Sequence, residues 1–229
     1  MRLDRYLCQT TDLTRSQARN IIRDGRVGVG GATVTHPASQ VDVHAEVTLD
    51  ECLLPPPLPR YFMLNKPLGV VCATRDLSQR TVLDLFDVPK RGALHIAGRL
   101  DIDSSGLVLV TDDGQWSHRI TAPSNNCPKT YHVTLAEPLK AGQASRVGAG
   151  LLLKGESKPT KPATIERVSE HELRLTISEG RYHQVKRMFA ALGNRVVALH
   201  RLAIGGVSLD RSLLPGAYRP LTRDEIGLF

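Results

Sequence analysis

The sequence predicts an α+β protein in two parts. A small N-terminal α/β domain precedes a larger domain with a mixed, largely antiparallel sheet. Three observations point there. Runs with strand-type alternation clearly outnumber amphipathic helical stretches. Few of those runs are spaced for the crossovers that a parallel sheet needs. A proline-rich joint, Leu53-Leu54-Pro55-Pro56-Pro57-Leu58-Pro59, forms an extended, semi-rigid break in the chain. The expected boundaries are a first domain over 1–52, a linker over 53–59 and a second domain over 60–229.

In the first part, Met1 to Leu7 starts with alternating basic and apolar positions. Thr14-Arg15-Ser16-Gln17 has the form of a capping box, with Thr14 as N-cap and the Gln17 side chain reaching back. The helix it starts runs through Ala18 and Ile22 and stops at Gly25, a favourable left-handed residue. Arg15, Arg19 and Arg23 fall four apart and line one ridge of that helix, while Ile21 and Ile22 point toward a core. Val27 to Val34 reads as two short strands around a glycine turn.

The second part opens with a strand over Arg60 to Lys66 that ends at Pro67. Leu107 to Val110 is short, apolar and bounded by Gly106 and Gly114, the pattern of a buried strand. Lys129 to Leu135 alternates like a half-buried strand. Glu172 to Ile177 does so more clearly, with Leu173, Leu175 and Ile177 on one face. His183 to Leu192 is an amphipathic helix with Gly193 as its stop.

Composition narrows the functional classes. The 229 residues are 41% hydrophobic, enough for a real core, and only 4% aromatic. Lys plus Arg outnumber Asp plus Glu by 30 to 23, a net charge of +7 that suits a polyanionic partner. The first thirty residues set Arg2, Arg5, Arg15, Arg19, Arg23 and Arg26 against Asp4, Asp12 and Asp24, whereas 31–59 hold no Lys or Arg. The planar fork of arginine suits phosphate. From Gly180 to Leu209 there is no acid, yet Arg181, Lys186, Arg187, Arg195 and Arg201 are present. A block of one sign beside a helix N-terminus is expected to make an anion site. The cysteines, Cys8, Cys52, Cys72 and Cys127, lack zinc spacing and read as reduced thiols of a cytosolic protein. No stretch approaches membrane-spanning length, and no secretory signal is visible. The 8 histidines form no ligand motif.

The chemistry is expected at Gly98-Arg99-Leu100-Asp101-Ile102-Asp103-Ser104-Ser105-Gly106, a small-residue turn that feeds the Leu107–Val110 strand. A rigid strand fixes the geometry of polar groups held at its mouth. A solvated, Asp-rich turn is the plain alternative. A calcium loop fits the spacing of Asp101, Asp103 and Asp112 in part, but Pro89 to Gly98 cannot supply an entering helix. A glycosidase carboxylate pair fits poorly in a basic protein with few aromatics. A carboxylate acting on a nucleic-acid ribose or base uses the net charge, the arginine ridge and the basic block together.

Two resemblances sharpen this. Arg2-Leu3-Asp4, Ser16-Gln17-Ala18-Arg19 and Ile22-Arg23-Asp24-Gly25-Arg26-Val27 resemble the S-four-like RNA-binding module of ribosomal and RNA-modifying proteins, and depart from it at Gly28 to Gly31. Ala97 to Asp103 with Ser105-Gly106-Leu107 is similar to the signature of RNA pseudouridine synthases. So are Arg60 to Pro67, Lys129-Thr130-Tyr131 and Glu179 to Met188. With the ending Gly216 to Thr222, they look like the branch that modifies one uridine of small-subunit (16S) ribosomal RNA; relatives acting on large-subunit RNA share most of these motifs.

The resemblance implies a central cleft in the larger domain and roles for residues around it. Asp101 matches the catalytic aspartate, by attack at the ribose C1′, attack at C6 of the base, or formation of a glycal. Tyr131 matches the tyrosine that packs on the target base, and Lys186 the basic residue that pairs with the aspartate. Arg99 is expected beside Asp101, filling the space of a flipped uridine or binding a phosphate. Arg187 and Arg181 are expected to bind RNA, as are Arg15, Arg19 and Arg23. Asp103 is assigned to holding the turn. No metal and no cofactor is implied, because reactant and product are isomers. The expected partner is 16S ribosomal RNA or a small-subunit assembly intermediate, and the expected form a cytoplasmic monomer. A non-catalytic RNA-binding assembly factor with the same fold is the competing reading.

Overall fold

A computed structural model describes residues 1–229, which form two compact units. The first comprises Met1–Pro59 with Asp87–Ala93, and the second Arg60–Phe86 with Leu94–Phe229. No helix is long and apolar enough to cross a membrane.

In the first unit, helices α1 (Leu3–Thr10) and α2 (Arg15–Arg23) precede four short strands: β1 (Val27–Val29), β2 (Ala32–Thr33), β3 (Val47–Leu49) and β4 (Cys52–Leu53). The strands form an antiparallel sheet in the order β2-β1-β3-β4. The capping box at α2 is present as expected: Gln17 N donates to the Thr14 hydroxyl, and Thr14 N donates to the Gln17 side chain at 2.8 Å. Helix α1 corrects the reading of Met1 to Leu7 as an alternating start. Leu3, Tyr6, Leu7 and Thr10 are buried at helical spacing, and the three apolar ones join Ala18, Ile22, Val27, Val41 and Val47 in one core.

Inside that small core sits a carboxylate. Asp4 is fully buried, and Arg2, Arg19 and Arg15 approach it at 2.8, 3.2 and 3.8 Å. The hydrogen bond from Arg2 outweighs burial and draws the Asp4 carboxyl down to about 2.

The second unit is built on a nine-stranded sheet. Its strands are β5 (Tyr61–Lys66), β6 (His95–Ala97), β7 (Ser105–Thr111), β8 (Lys129–Leu135), β9 (Thr164–Arg167), β10 (Glu172–Ile177), β11 (Val196–Ile204), β12 (Val207–Ser208) and β13 (Tyr218–Pro220). The path runs β13-β5-β7-β11-β8-β10-β9, with β6 paired to β7 and β12 to β11. Every pairing is antiparallel except β7 with β11. The sheet is therefore mixed and largely antiparallel, as expected. Helices α3 (Gly114–Thr121), α4 (Gln143–Ala149), α5 (Gln184–Ala191) and α6 (Arg223–Ile226) complete the unit.

The parallel seam sets the site. At Gly106, φ is +103°, and an added Cβ would lie 2.3 Å from the Arg201 carbonyl oxygen. Only glycine lets β7 approach β11 this closely. The seam thus holds the start of β7, and the turn before it, against Arg201. Beside it, Trp116, Met63, Leu107, Leu109 and Ile120 form a buried cluster. The acids that close the β7 stretch are structural: Asp112 receives the Arg60 amide and guanidinium, each at 2.7 Å, and Asp113 caps α3.

Candidate active site

The turn before β7 lines a cleft of about 770 Å³, a volume within the range of about 300–1,000 Å³ usual for ligand sites. Arg99, Asp101, Asp103, Lys129, Tyr131, Tyr182, His183, Lys186 and Arg201 line it, all within the second unit. Three elements converge there: the β6–β7 turn brings Asp101, strand β8 brings Tyr131, and helix α5 brings Lys186 from its first turn.

Asp101 is held from two sides. Lys186 Nζ donates to Asp101 Oδ2 at 2.9 Å, and His183 Nε2 lies 3.4 Å from Oδ1. Both ends of the ion pair are about three-quarters covered, so solvent screening is reduced. Burial disfavours the Lys186 ammonium, but its hydrogen bonds to Asp103 and Asp101 outweigh that and raise its pKa above the ordinary lysine value. Asp103 is mostly exposed and shares the ammonium at 2.5 Å, which lowers its own pKa. This corrects the assignment of Asp103 to the turn. The turn is closed by backbone instead, with Ser104 N donating to the Asp101 carbonyl at 3.1 Å. Asp103 acts as a second counter-charge on Lys186.

Two buried cations hold the turn from beneath. Lys66 is fully buried, and its ammonium donates to the carbonyls of Ser104 at 2.7 Å and Pro67 at 3.0 Å; burial lowers its pKa. Arg201, 2% exposed, donates to the carbonyls of Leu107, Gly98 and Arg99 at 2.7, 2.8 and 3.3 Å. Leu100 N adds a contact to Cys72 Sγ at 3.3 Å. The backbone on both sides of Asp101 is thereby fixed. Lys66, Arg201 and His183 were not singled out in the sequence as parts of the site. Lys66 and His183 fall within the Arg60–Pro67 and Glu179–Met188 motifs and Arg201 within the basic block, but none of those patterns gives the three residues a role at Asp101.

The acid-free block from Gly180 to Leu209 requires correction as a free anion site. Apart from Arg195, its cations are met by acids and carbonyls. Arg181 reaches Glu179 and Glu156 and donates to the carbonyls of Lys158 at 2.8 Å and Pro159 at 2.6 Å. Arg187 pairs with Glu156 at 2.9 Å and donates to the carbonyls of Tyr182 and Lys154. Lys186 serves Asp101 and Asp103, and Arg201 is buried. Beneath them, Gln184 donates to Glu179 at 2.9 Å and accepts from Arg181 N at 2.8 Å. Arg181 and Arg187 therefore tie the 154–160 loop to the cleft wall. Arg99, by contrast, keeps its guanidinium without a hydrogen bond or ion pair inside the protein, at the cleft rim. No group of three or more His, Cys, Asp or Glu side chains is placed to hold a metal ion.

The cleft thus gathers a carboxylate paired with an ammonium, a tyrosine and several further cations. The family model for RNA pseudouridylate synthase matches residues 60–191, and that for the S4 domain matches residues 1–47. The chain belongs to the RNA pseudouridylate synthase family, whose members are isomerases.

Its similarity extends over nearly the full length. A protein of Haemophilus influenzae named ribosomal small subunit pseudouridine synthase A is 53% identical over 227 residues, covering 99% of this chain and 98% of that one. The protein of the same name from Escherichia coli K12 is 52% identical over 227 residues, with 99% and 98% covered. A solved structure described as a pseudouridylate synthase superposes with a TM-score of 0.72 at 51% identity, with all of both chains covered.

Proposed function

We propose that this protein converts one uridine of small-subunit (16S) ribosomal RNA to pseudouridine, and that Asp101, Tyr131 and Lys186 carry the reaction. The observation that carries the reading is the 2.9 Å pair of Lys186 with Asp101 in a cleft that Tyr131 also lines. The names of relatives more than half identical over nearly the whole chain support the choice of RNA. We read residues 1–52 as the RNA-binding domain, 53–59 as the linker and 60–229 as the catalytic domain, in a cytoplasmic monomer.

The uridine must leave its stack to reach Asp101, at a cost of a few kcal/mol. Contacts to phosphates offset that cost. Arg15, Arg19 and Arg23 supply them from the first unit and Arg99 from the cleft rim. Arg181 and Arg187 contribute through the wall they hold. Tyr131 offers its ring to the extruded base. The Asp101 carboxylate then acts on the nucleoside, with Lys186 fixing its orientation. The C1′–N1 bond breaks and a C1′–C5 bond forms. The C5 hydrogen leaves as a proton and N1 gains one, so atoms and electrons balance without a redox partner.

The test uses small-subunit and large-subunit ribosomal RNA transcripts carrying 5-tritiated uridine. Tritium release from the small-subunit transcript alone is expected. Release from the large-subunit transcript alone would overturn the substrate assignment, and release from neither RNA nor from assembly intermediates would overturn the reading.

A further inference from the structure

Tyr182 is 75% exposed and is the one aromatic residue among the exposed large apolar side chains of a chain with few aromatics. It lies on the wall of the cleft that holds Asp101. Isolated exposed apolar side chains are common, and exposure alone says little. This ring, however, is held in place. It stacks on the His183 imidazole with centroids 3.8 Å apart and planes 22° apart. The Tyr182 carbonyl accepts from Arg187 Nη1 at 3.1 Å, and Arg187 is itself anchored to Glu156. His183 takes a left-handed backbone conformation, φ +48° and ψ +34°, at the N-cap of α5. That conformation is unusual for a residue with a side chain and persists only where its surroundings impose it. It turns the imidazole so that one edge meets Asp101 at 3.4 Å while a face meets Tyr182.

The result is a rigid aromatic shelf, backed on one face and open on the other, at the rim of a nucleoside-binding cleft. Extrusion of a uridine breaks the stacking of its neighbours, and a preformed ring restores it without ordering cost. We propose that Tyr182 stacks on the nucleobase adjacent to the target uridine, with His183 as its backing, and so makes a second base site beside the one Tyr131 provides. The proposal rests on the uridine-modifying reading and adds to it a subsite for a flanking nucleotide. Stacking reads a π face rather than a hydrogen-bond pattern, so the subsite accepts any base and rejects an abasic position.

The experiment crosses protein and RNA changes. Wild type, Tyr182→Ala and Tyr182→Phe are assayed for RNA affinity by filter binding and for tritium release. The RNA is a small-subunit fragment, either intact or carrying an abasic ribose immediately 5′ or 3′ of the target uridine. Tyr182→Ala is expected to weaken binding and raise KM roughly 5- to 150-fold, with kcat within about twofold of wild type. Tyr182→Phe should restore wild-type affinity. One of the two abasic RNAs should lose the same factor with wild type and nothing further with Tyr182→Ala. Unchanged affinity of Tyr182→Ala, or losses that multiply with both abasic RNAs, would overturn the proposal. Affinity is read without turnover, so a wild-type protein that binds but releases no tritium would refute the enzymatic reading separately.

Discussion

Arginine does opposite work in the two units. In the first, Arg2, Arg15 and Arg19 converge on one buried carboxylate, Asp4, yet their side chains stay 40%, 64% and 43% exposed. Three cations share one anion, which fixes a positive surplus at the surface where a polyanion can use it. In the second, Arg181, Arg187 and Arg201 are used up internally, on Glu156, Glu179 and a set of backbone carbonyls. Their task is to hold the cleft wall and the Asp101 turn in one geometry. Residues of the same type, in two arginine-rich stretches, thus divide into charge kept for a partner and charge spent on the fold. Partners far along the chain decide which.

The comparison is most exposed to failure at Arg201. Arg201→Met keeps the bulk but leaves the carbonyls of Gly98, Arg99 and Leu107 without donors. A loss of roughly 3 kcal/mol or more is expected in urea unfolding, since each orphaned buried acceptor costs about 1–3 kcal/mol. An unchanged midpoint would mean that the guanidinium does not hold the turn.

The next effect belongs to Asp4. Its carboxyl titrates at about 2 in the folded protein against an ordinary value of 3.8. A depressed carboxylate contributes stability above its unfolded pKa and loses it as pH falls through the folded one. The contribution is about 2 kcal/mol, present above pH ~4 and lost toward pH ~2. Thermal melts of Asp4→Asn should show a flatter pH dependence across that window; a curve parallel to wild type would contradict the ion cluster.

The smallest effects separate the two groups of arginines by salt. Arg15→Ala, the most exposed of the three at Asp4, should reduce the slope of log affinity against log salt by roughly 0.7–0.9, the signature of one lost phosphate contact. Arg187→Ala should lower turnover through a loosened wall and leave that slope unchanged. Equal changes in slope for both would dissolve the distinction.

Much of this was legible before any coordinates. The Thr14–Gln17 capping box, the buried run after Gly106, the alternation of β8 and β10 and the helix ending at Gly193 are local patterns, and local patterns survive folding. Asp101, Tyr131 and Lys186 were marked by motif, and the fold brings them to one cleft. What escaped depends on long-range partners. The apparent freedom of Arg181 and Arg187 ended at Glu156, 25 and 31 positions earlier, and Arg201 reaches back about a hundred residues. Strand β11 was hidden because His200 and Arg201 interrupt its apolar run; both are engaged, with Ser105 and with the turn. The left-handed backbone at His183 has no sequence signal at all, since glycine would be the expected residue there.

The most direct test is Asp101→Asn. The substitution keeps the shape of the side chain and removes its charge. Tritium release from 5-tritiated uridine in small-subunit ribosomal RNA is expected to fall to background, while filter-binding affinity for the same RNA stays near wild type. Release at the wild-type rate by Asp101→Asn would contradict a reaction carried by that carboxylate.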